Sequence, residues 1–250
     1  MLASLRSEFR KLLTVRSTYV IFVICLAIVG LFAGYGDGFK GAAATLNNPG
    51  LLMEDSANAI VFVGLILAFA GLLLLGHEYR YNTIMYTLTS SPSRARSLLA
   101  KVLVVSVFAG VASLIMAFWS PLCVILGAHL HGHHLAAQHF DYWSVIWRCM
   151  FVGWGYAMYA FILIAILRNQ IGAIVTFLLV PLIGETILGQ IFKNTSKYYP
   201  FTSLQTVVMQ HAEKGSVAVL SPNKSALVAL AYIAVGLLIS FILFVRRDAN

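Results

Sequence analysis

Charge is what this sequence has least of: 10% of its 250 residues are Asp, Glu, Lys or Arg, while 60% are hydrophobic. Soluble domains carry about 25% charged residues, and a chain this poor in polar side chains cannot cover a soluble globule, so the bilayer is its natural solvent. Acidic residues are the scarcer kind, nine against seventeen basic ones, for a formal net charge of +8. The Lys and Arg residues stand in short clusters beside apolar runs, which fits lipid headgroups and topology control and argues against a nucleic-acid partner. Cysteine is nearly missing. Cys25, Cys123 and Cys149 lie in or beside apolar segments without CxxC spacing, so they read as packing residues and no disulfide framework follows. Also lacking is any G-x-x-x-x-G-K-[ST] stretch, so the chain holds no phosphate-cradling Walker loop. Neither paired carboxylates at helical spacing nor a Ser, His and Asp arrangement argues for hydrolysis, and no catalytic site is expected.

What the sequence does contain is long apolar runs. A membrane-crossing helix needs about 20 mostly apolar residues, and six such runs are found, at approximately 18 to 35, 57 to 76, 99 to 127, 145 to 167, 170 to 191 and 225 to 245. The expected fold is therefore an all-α integral membrane protein, one transmembrane domain over residues 1 to 250. The third run is the longest and contains Pro121, where a bend or an exit from the membrane is expected. The first run is long enough to span and is not followed by a signal-peptide cleavage pattern, so it is expected to be retained. Segment 36 to 56, rich in Gly, Asn and Ala, reads as an outer loop.

Orientation follows from the flanks, because positive residues in short loops resist translocation. One side holds Arg6, Arg10, Lys11, Arg16, Arg80, Arg94, Arg96, Lys101, Arg168, Arg246 and Arg247, and the other only Lys40, Arg148, Lys193, Lys197, Lys214 and Lys224. The first side is expected to be cytoplasmic, so that the chain sits in the inner cell membrane with both termini in the cytoplasm. Residues 1 to 17 read as an interfacial helix, since Leu2, Leu5, Phe9, Leu12 and Leu13 share an arc while Ser4, Ser7, Lys11 and Thr14 lie away from it and Arg6 and Arg10 flank it.

Between runs two and three the chain reads GHEYRYNTIMYTLTSSPSRARSLLAK, Gly76 to Lys101. Charged Glu78 and Arg80 precede an apolar and aromatic patch at Ile84, Met85, Tyr86 and Leu88, then a turn at Pro92 and a basic helix start. A short stiff element with apolar knobs, anchored by charges to the helix ends above it, suits contact with a moving partner; an ordinary short loop with satisfied charges is the plainer alternative. An interfacial basic helix, a first span, and then Glu78, Tyr79, Arg80, Thr83 and Ile84 with Ser91, Pro92, Ser93, Arg94 and Lys101 resemble the ABC-2 type permeases, the transmembrane subunits of ABC exporters, as does the ending from Phe244.

That resemblance implies an ATP-driven exporter whose ATP and Mg²⁺ are held by a separate ABC ATP-binding subunit, with a second permease copy, identical or related, as the other partner. It implies a cytoplasmic coupling helix within residues 77 to 98, with Glu78, Tyr79, Arg80, Thr83, Ile84, Met85 and Tyr86 as the motor contact. It also implies a re-entrant outer structure in 192 to 224, where Tyr198, Tyr199, Pro200, Phe201, Leu204, Val207 and Val208 are apolar enough to dip into the leaflet. The family's substrates include antibiotics, peptides and lipids, and nothing in the loop selects among them; secretion and self-protection use the same machinery.

Two further constellations are weighed against plainer readings. Glu185, in run five, is costly in an apolar span and is a candidate for the substrate cavity, the alternative being interfacial snorkelling or a pair with Lys193. His129, His131, His133, His134 and His139, with Asp141, are spaced closely enough to bind Zn²⁺, Cu²⁺ or Ni²⁺, the alternative being a solvated polar loop. Trp143, Trp147 and Trp154 near Arg148 read as an interfacial aromatic belt. A rival function, an ion-coupled secondary transporter or channel, would use Glu185 and the histidines and would need no ATPase.

Overall fold

The structure, a computed structural model, describes residues 2–40, 49–84, 86, 93–132, 142–208 and 220–246. These residues are helical almost throughout and contain no strand, and six segments among them are long and apolar enough to cross a membrane. The chain is an all-α, multi-pass membrane protein.

Helix α1 (Leu2–Thr14) precedes the first span and breaks from it at Val15, whose extended backbone (φ −78°, ψ 117°) makes a one-residue elbow. Leu12 is buried, Leu5 and Phe9 are half-buried, and Arg6, Ser7 and Arg10 are exposed, as an amphipathic helix requires. Two positions depart from that simple division: Leu13 is exposed and Glu8 is buried. Glu8 is buried because it is ionically paired, as described below.

Helix α2 (Arg16–Val29) continues as a wide-turn π-helical stretch, Gly30–Phe39, against the third span. A Cβ on Gly127 would run into the carbonyl oxygen of Gly34, so the two backbones touch where side chains would otherwise hold them apart. Trp119 fastens the same pair by donating its Nε1–H to the Leu26 carbonyl, 3.0 Å away. Gly127→Val should therefore separate the first and third spans; a marked drop in melting temperature in detergent is expected, and Gly110→Val, on the same helix with open space around it, serves as the benign control.

Helix α3 (Pro49–Arg80) starts earlier than the sequence pattern suggests: residues 49 to 56 belong to the helix and 36 to 39 to the end of the first span, so helix enters the expected outer loop from both ends, while residues 41 to 48 lie outside those described. Pro49 occupies the first helical position, where its missing N–H costs nothing and its fixed φ is already helical. At the other end the Thr83 amide donates to the Glu78 carbonyl across 3.0 Å, with Asn82 in the left-handed region (φ 53°). This is the six-residue closure that ends many helices.

Helix α4 (Arg94–Leu130) has 37 residues and passes through Pro121 without ending. At about 1.5 Å per residue it is roughly 55 Å long, well beyond the ~30 Å of a hydrocarbon core, so it projects past the membrane. Ser93 caps it, its Oγ accepting from the Arg96 amide at 3.2 Å. Helix α5 (Tyr142–Leu167) is the most enclosed span; 67% of its most apolar stretch is buried, against 17% in the first and fifth spans, which places it at the bundle centre.

A tight turn at Arg168 (φ 54°) leads to α6 (Gln170–Leu179), capped by Asn169, whose Oδ1 accepts from the Gly172 amide. The span widens at Val180–Gly184, where Pro181 lacks the N–H and crowds the preceding turn, and ends as α7 (Glu185–Ile191). A short helix, α8 (Pro200–Thr206), buries Phe201, Ser203, Leu204 and Thr206 before α9 (Pro222–Arg246) forms the last span. Phe201 packs its ring on Tyr156, Tyr159 and Phe177 with centroids 5.1 to 6.0 Å apart, so α8 is seated on the bundle.

Candidate functional site

The most unusual chemistry lies where α1 meets the adjacent ends of α3 and α4. Lys101, two turns into α4, is completely buried, and its ammonium donates to Glu8 Oε2 at 2.9 Å and to Glu78 Oε1 at 2.6 Å. Lys11, one turn beyond Glu8 on α1, donates to Glu8 Oε1 and Glu78 Oε1, both at 2.9 Å. Two ammoniums and two carboxylates thus alternate in a closed neutral network that holds three elements together.

Isolated buried charges are very costly, but paired and hydrogen-bonded ones are tolerated, and removal of one member exposes the cost. Glu78 Oε2 has no hydrogen-bond partner among the described residues, so one acceptor of the network is unused. The helix positions make the cluster possible. Glu8 and Lys11 are three apart on one face of α1, Glu78 stands in the last turn of α3, and Lys101 meets them from α4.

Partial burial alone would lower the Lys11 pKa, yet the hydrogen bonds and charges of Glu78 and Glu8 outweigh it and hold the ammonium above its usual 10.5. A raised lysine contributes stability that is fully present below the unfolded pKa and is lost as pH rises through the folded one. The Lys11 contribution should accordingly be constant through neutral pH and weaken only above about 10.5. An environment-sensitive label on Ser7→Cys checks this: release of α1 is expected in that alkaline range and not between pH 6 and about 9.

Of the seven residues assigned to motor contact, the structure separates anchors from outward groups. Glu78 sits in the buried network, Tyr79 is half-buried against the core, and Ile84 is buried. Arg80, Thr83 and Tyr86 are exposed, Tyr86 at 76%, and Met85 lies outside the described residues. Tyr81, which the sequence pattern did not single out, is 64% exposed and holds the Arg80 guanidinium 5.6 Å from its ring centre. Glu8 was also missed, although it is the one acidic residue in the first 36 and therefore conspicuous in a basic helix.

Glu185 is buried in the fifth span and its carboxylate is fully engaged: Oε1 accepts from the Phe201 amide at 2.8 Å, and Oε2 from the Thr202 amide at 2.6 Å and the Thr202 hydroxyl at 2.7 Å. These are the free amides at the start of α8, where Tyr199 offers no side-chain cap. The pairing with Lys193 weighed from the sequence gives way to this capping, and Lys193 is exposed. His129 and His131 end α4 and are exposed, with His131 edge-on to Phe39 at 4.5 Å. His133, His134, His139 and Asp141 lie outside the described residues, and no cluster of three metal-ligating side chains occurs among those described. Arg148 sits over Trp147 at 5.6 Å while Trp143 is exposed.

Fold and site together define a multi-pass helical membrane protein with an N-terminal amphipathic helix ionically locked to the bundle. No family model matches the chain, and no curated protein is similar to it in sequence.

Proposed function

We propose that the chain is the transmembrane subunit of an ATP-driven exporter of the ABC-2 permease type, in the inner cell membrane with both termini cytoplasmic. The observation that carries this reading is the Glu8, Lys11, Glu78 and Lys101 network, which joins α1 and the ends of two spans directly beside the segment from Arg80 to Tyr86. A loop pushed by a motor moves the substrate path only if it is stiffly connected to the spans. The network supplies that stiffness, while Arg80, Tyr81 and Tyr86 offer the exposed aromatic and cationic groups typical of contact hot spots.

In this reading ATP and Mg²⁺ act in a separate ATP-binding subunit, and the permease does no covalent chemistry. Substrate is taken between two permease copies, and motor closure drives the inner loops together and opens the cavity outward. Helix α8 is the outer re-entrant element, and Glu185 holds its start in place. Support for the reading also comes from the six-span order with an interfacial helix in front.

The test is co-purification with each candidate ATPase, in nanodiscs, of wild type and of the Met85→Ala, Tyr86→Ala double variant. Stable association that the double variant weakens is expected. Absence of association with every candidate, together with ion flux by the chain alone in liposomes, would overturn the reading in favour of an ion-coupled carrier.

A further inference from the structure

Next to the ionic network lies a groove of about 510 Å³ between the elbow joining α1 to α2 and the neighbouring half of α3. Its floor is apolar, formed by Leu12, Val15, Ala70, Leu73 and Leu74. Its mouth is polar, formed by Lys11, His77, Glu78, Tyr81, Thr83 and Tyr86. From Ala70 to the end of the helix at Arg80 is ten residues, roughly 15 Å at 1.5 Å each, which is about half of a ~30 Å hydrocarbon core. The groove therefore runs the depth of a single leaflet, apolar inward and polar at the interface, the same gradient a phospholipid has.

Charge selects the headgroup. Exposed Arg10, Arg16 and Arg80 stand next in the chain to the lining residues Lys11, Val15 and Tyr81, and the acidic residues of α1, the elbow and the end of α3 are only Glu8 and Glu78. Lys11 and Lys101 balance the charges of Glu8 and Glu78, so the three arginines leave a positive surplus at the rim. The Lys11 side chain is 41% exposed and uses two of its three ammonium protons in the network. Cations at this level attract anionic lipid.

We propose that this groove is a binding site for one anionic phospholipid of the α1-side leaflet, an acyl chain lying along Leu73, Leu74 and Val15 and the phosphate meeting Lys11 and the rim arginines. Bound there, the lipid wedges the α1 elbow against α3 and makes the position of α1 depend on the leaflet's anionic content. This inference requires only that α1 lie at a membrane surface, and it stands or falls separately from the ATPase reading.

The experiment is native mass spectrometry of the full chain released from nanodiscs containing equal parts phosphatidylglycerol and phosphatidylcholine. One phosphatidylglycerol per copy, retained at least tenfold over phosphatidylcholine, is expected. Leu73→Trp, which fills the groove, should abolish retention, whereas Val235→Trp on the exposed face of α9 should leave it intact. If Leu73→Trp fails to give monodisperse protein, Ala70→Val narrows the same floor more gently and should lower retention severalfold. Equal retention of the two lipids, or retention unaffected by a folded groove variant, would overturn the proposal. A crosslink between copies through Leu73→Cys would do the same, by assigning the groove to a second copy.

Discussion

Lys101→Met is expected to release α1 from the bundle while leaving the six spans apolar enough to insert. Methionine fills much of the lysine's volume, so the main change is electrostatic: Glu8 and Glu78 keep only Lys11 between them, and two carboxylates share one ammonium in a buried setting. Breaking a buried pair by removing one partner costs about 3–5 kcal/mol, much of the net stability of a typical domain. The expected readout is a clear fall in melting temperature in detergent, with faster protease cleavage near Val15. A second change tests the cause. Lys101→Met combined with Glu78→Gln leaves one neutral Lys11 to Glu8 pair and should recover a large share of the loss, because neutral replacements of a whole buried ion pair are often tolerated. If Lys101→Met melts like wild type, the network does not fasten α1.

Glu185→Ala is expected to detach the start of α8. The carboxylate supplies three hydrogen bonds, two of them to backbone amides that have no other cap. A single hydrogen bond to a charged group is worth about 1.5–3 kcal/mol, and the loss also leaves amides unpaired in a mostly apolar seat. Thr202→Cys, paired with the Glu185 change, should become reactive to a membrane-impermeant maleimide where the Thr202→Cys single variant is slow. Glu185→Gln retains one acceptor oxygen and should lie between the two. Should Glu185→Ala leave α8 protected and the protein equally stable, while abolishing transport, the residue would belong to the substrate path instead.

The spans were legible in the sequence because apolar runs of about 20 residues carry their own signal in a bilayer. The fifth expected run, 170 to 191, coincides with Gln170–Ile191, and the others differ by a few residues at their ends. Amphipathic α1 was legible for a similar reason. The early start of α3 at Pro49 was not, since the Gly and Asn content of 36 to 56 outweighed a helix-starting proline in the reading.

The ionic network was only half legible. Glu78, Lys101 and an anchoring role for charge were visible in the loop pattern, but Glu8 and Lys101 are 93 positions apart and only the packing of α1 on α4 brings them together. Glu185 stood out as an ionisable group in an apolar span. Its partners did not, because they are backbone amides, which every residue but proline has and which no sequence pattern marks.

The central claim is that this chain works as a motor-driven permease, and co-reconstitution with the candidate ATPases in proteoliposomes tests it most directly. The account predicts that one of them hydrolyses ATP faster with the wild-type chain than alone, and that the Met85→Ala, Tyr86→Ala variant loses that stimulation while keeping its fold. ATP hydrolysis unaffected by the chain for every candidate, with ion flux through the chain alone, would contradict it.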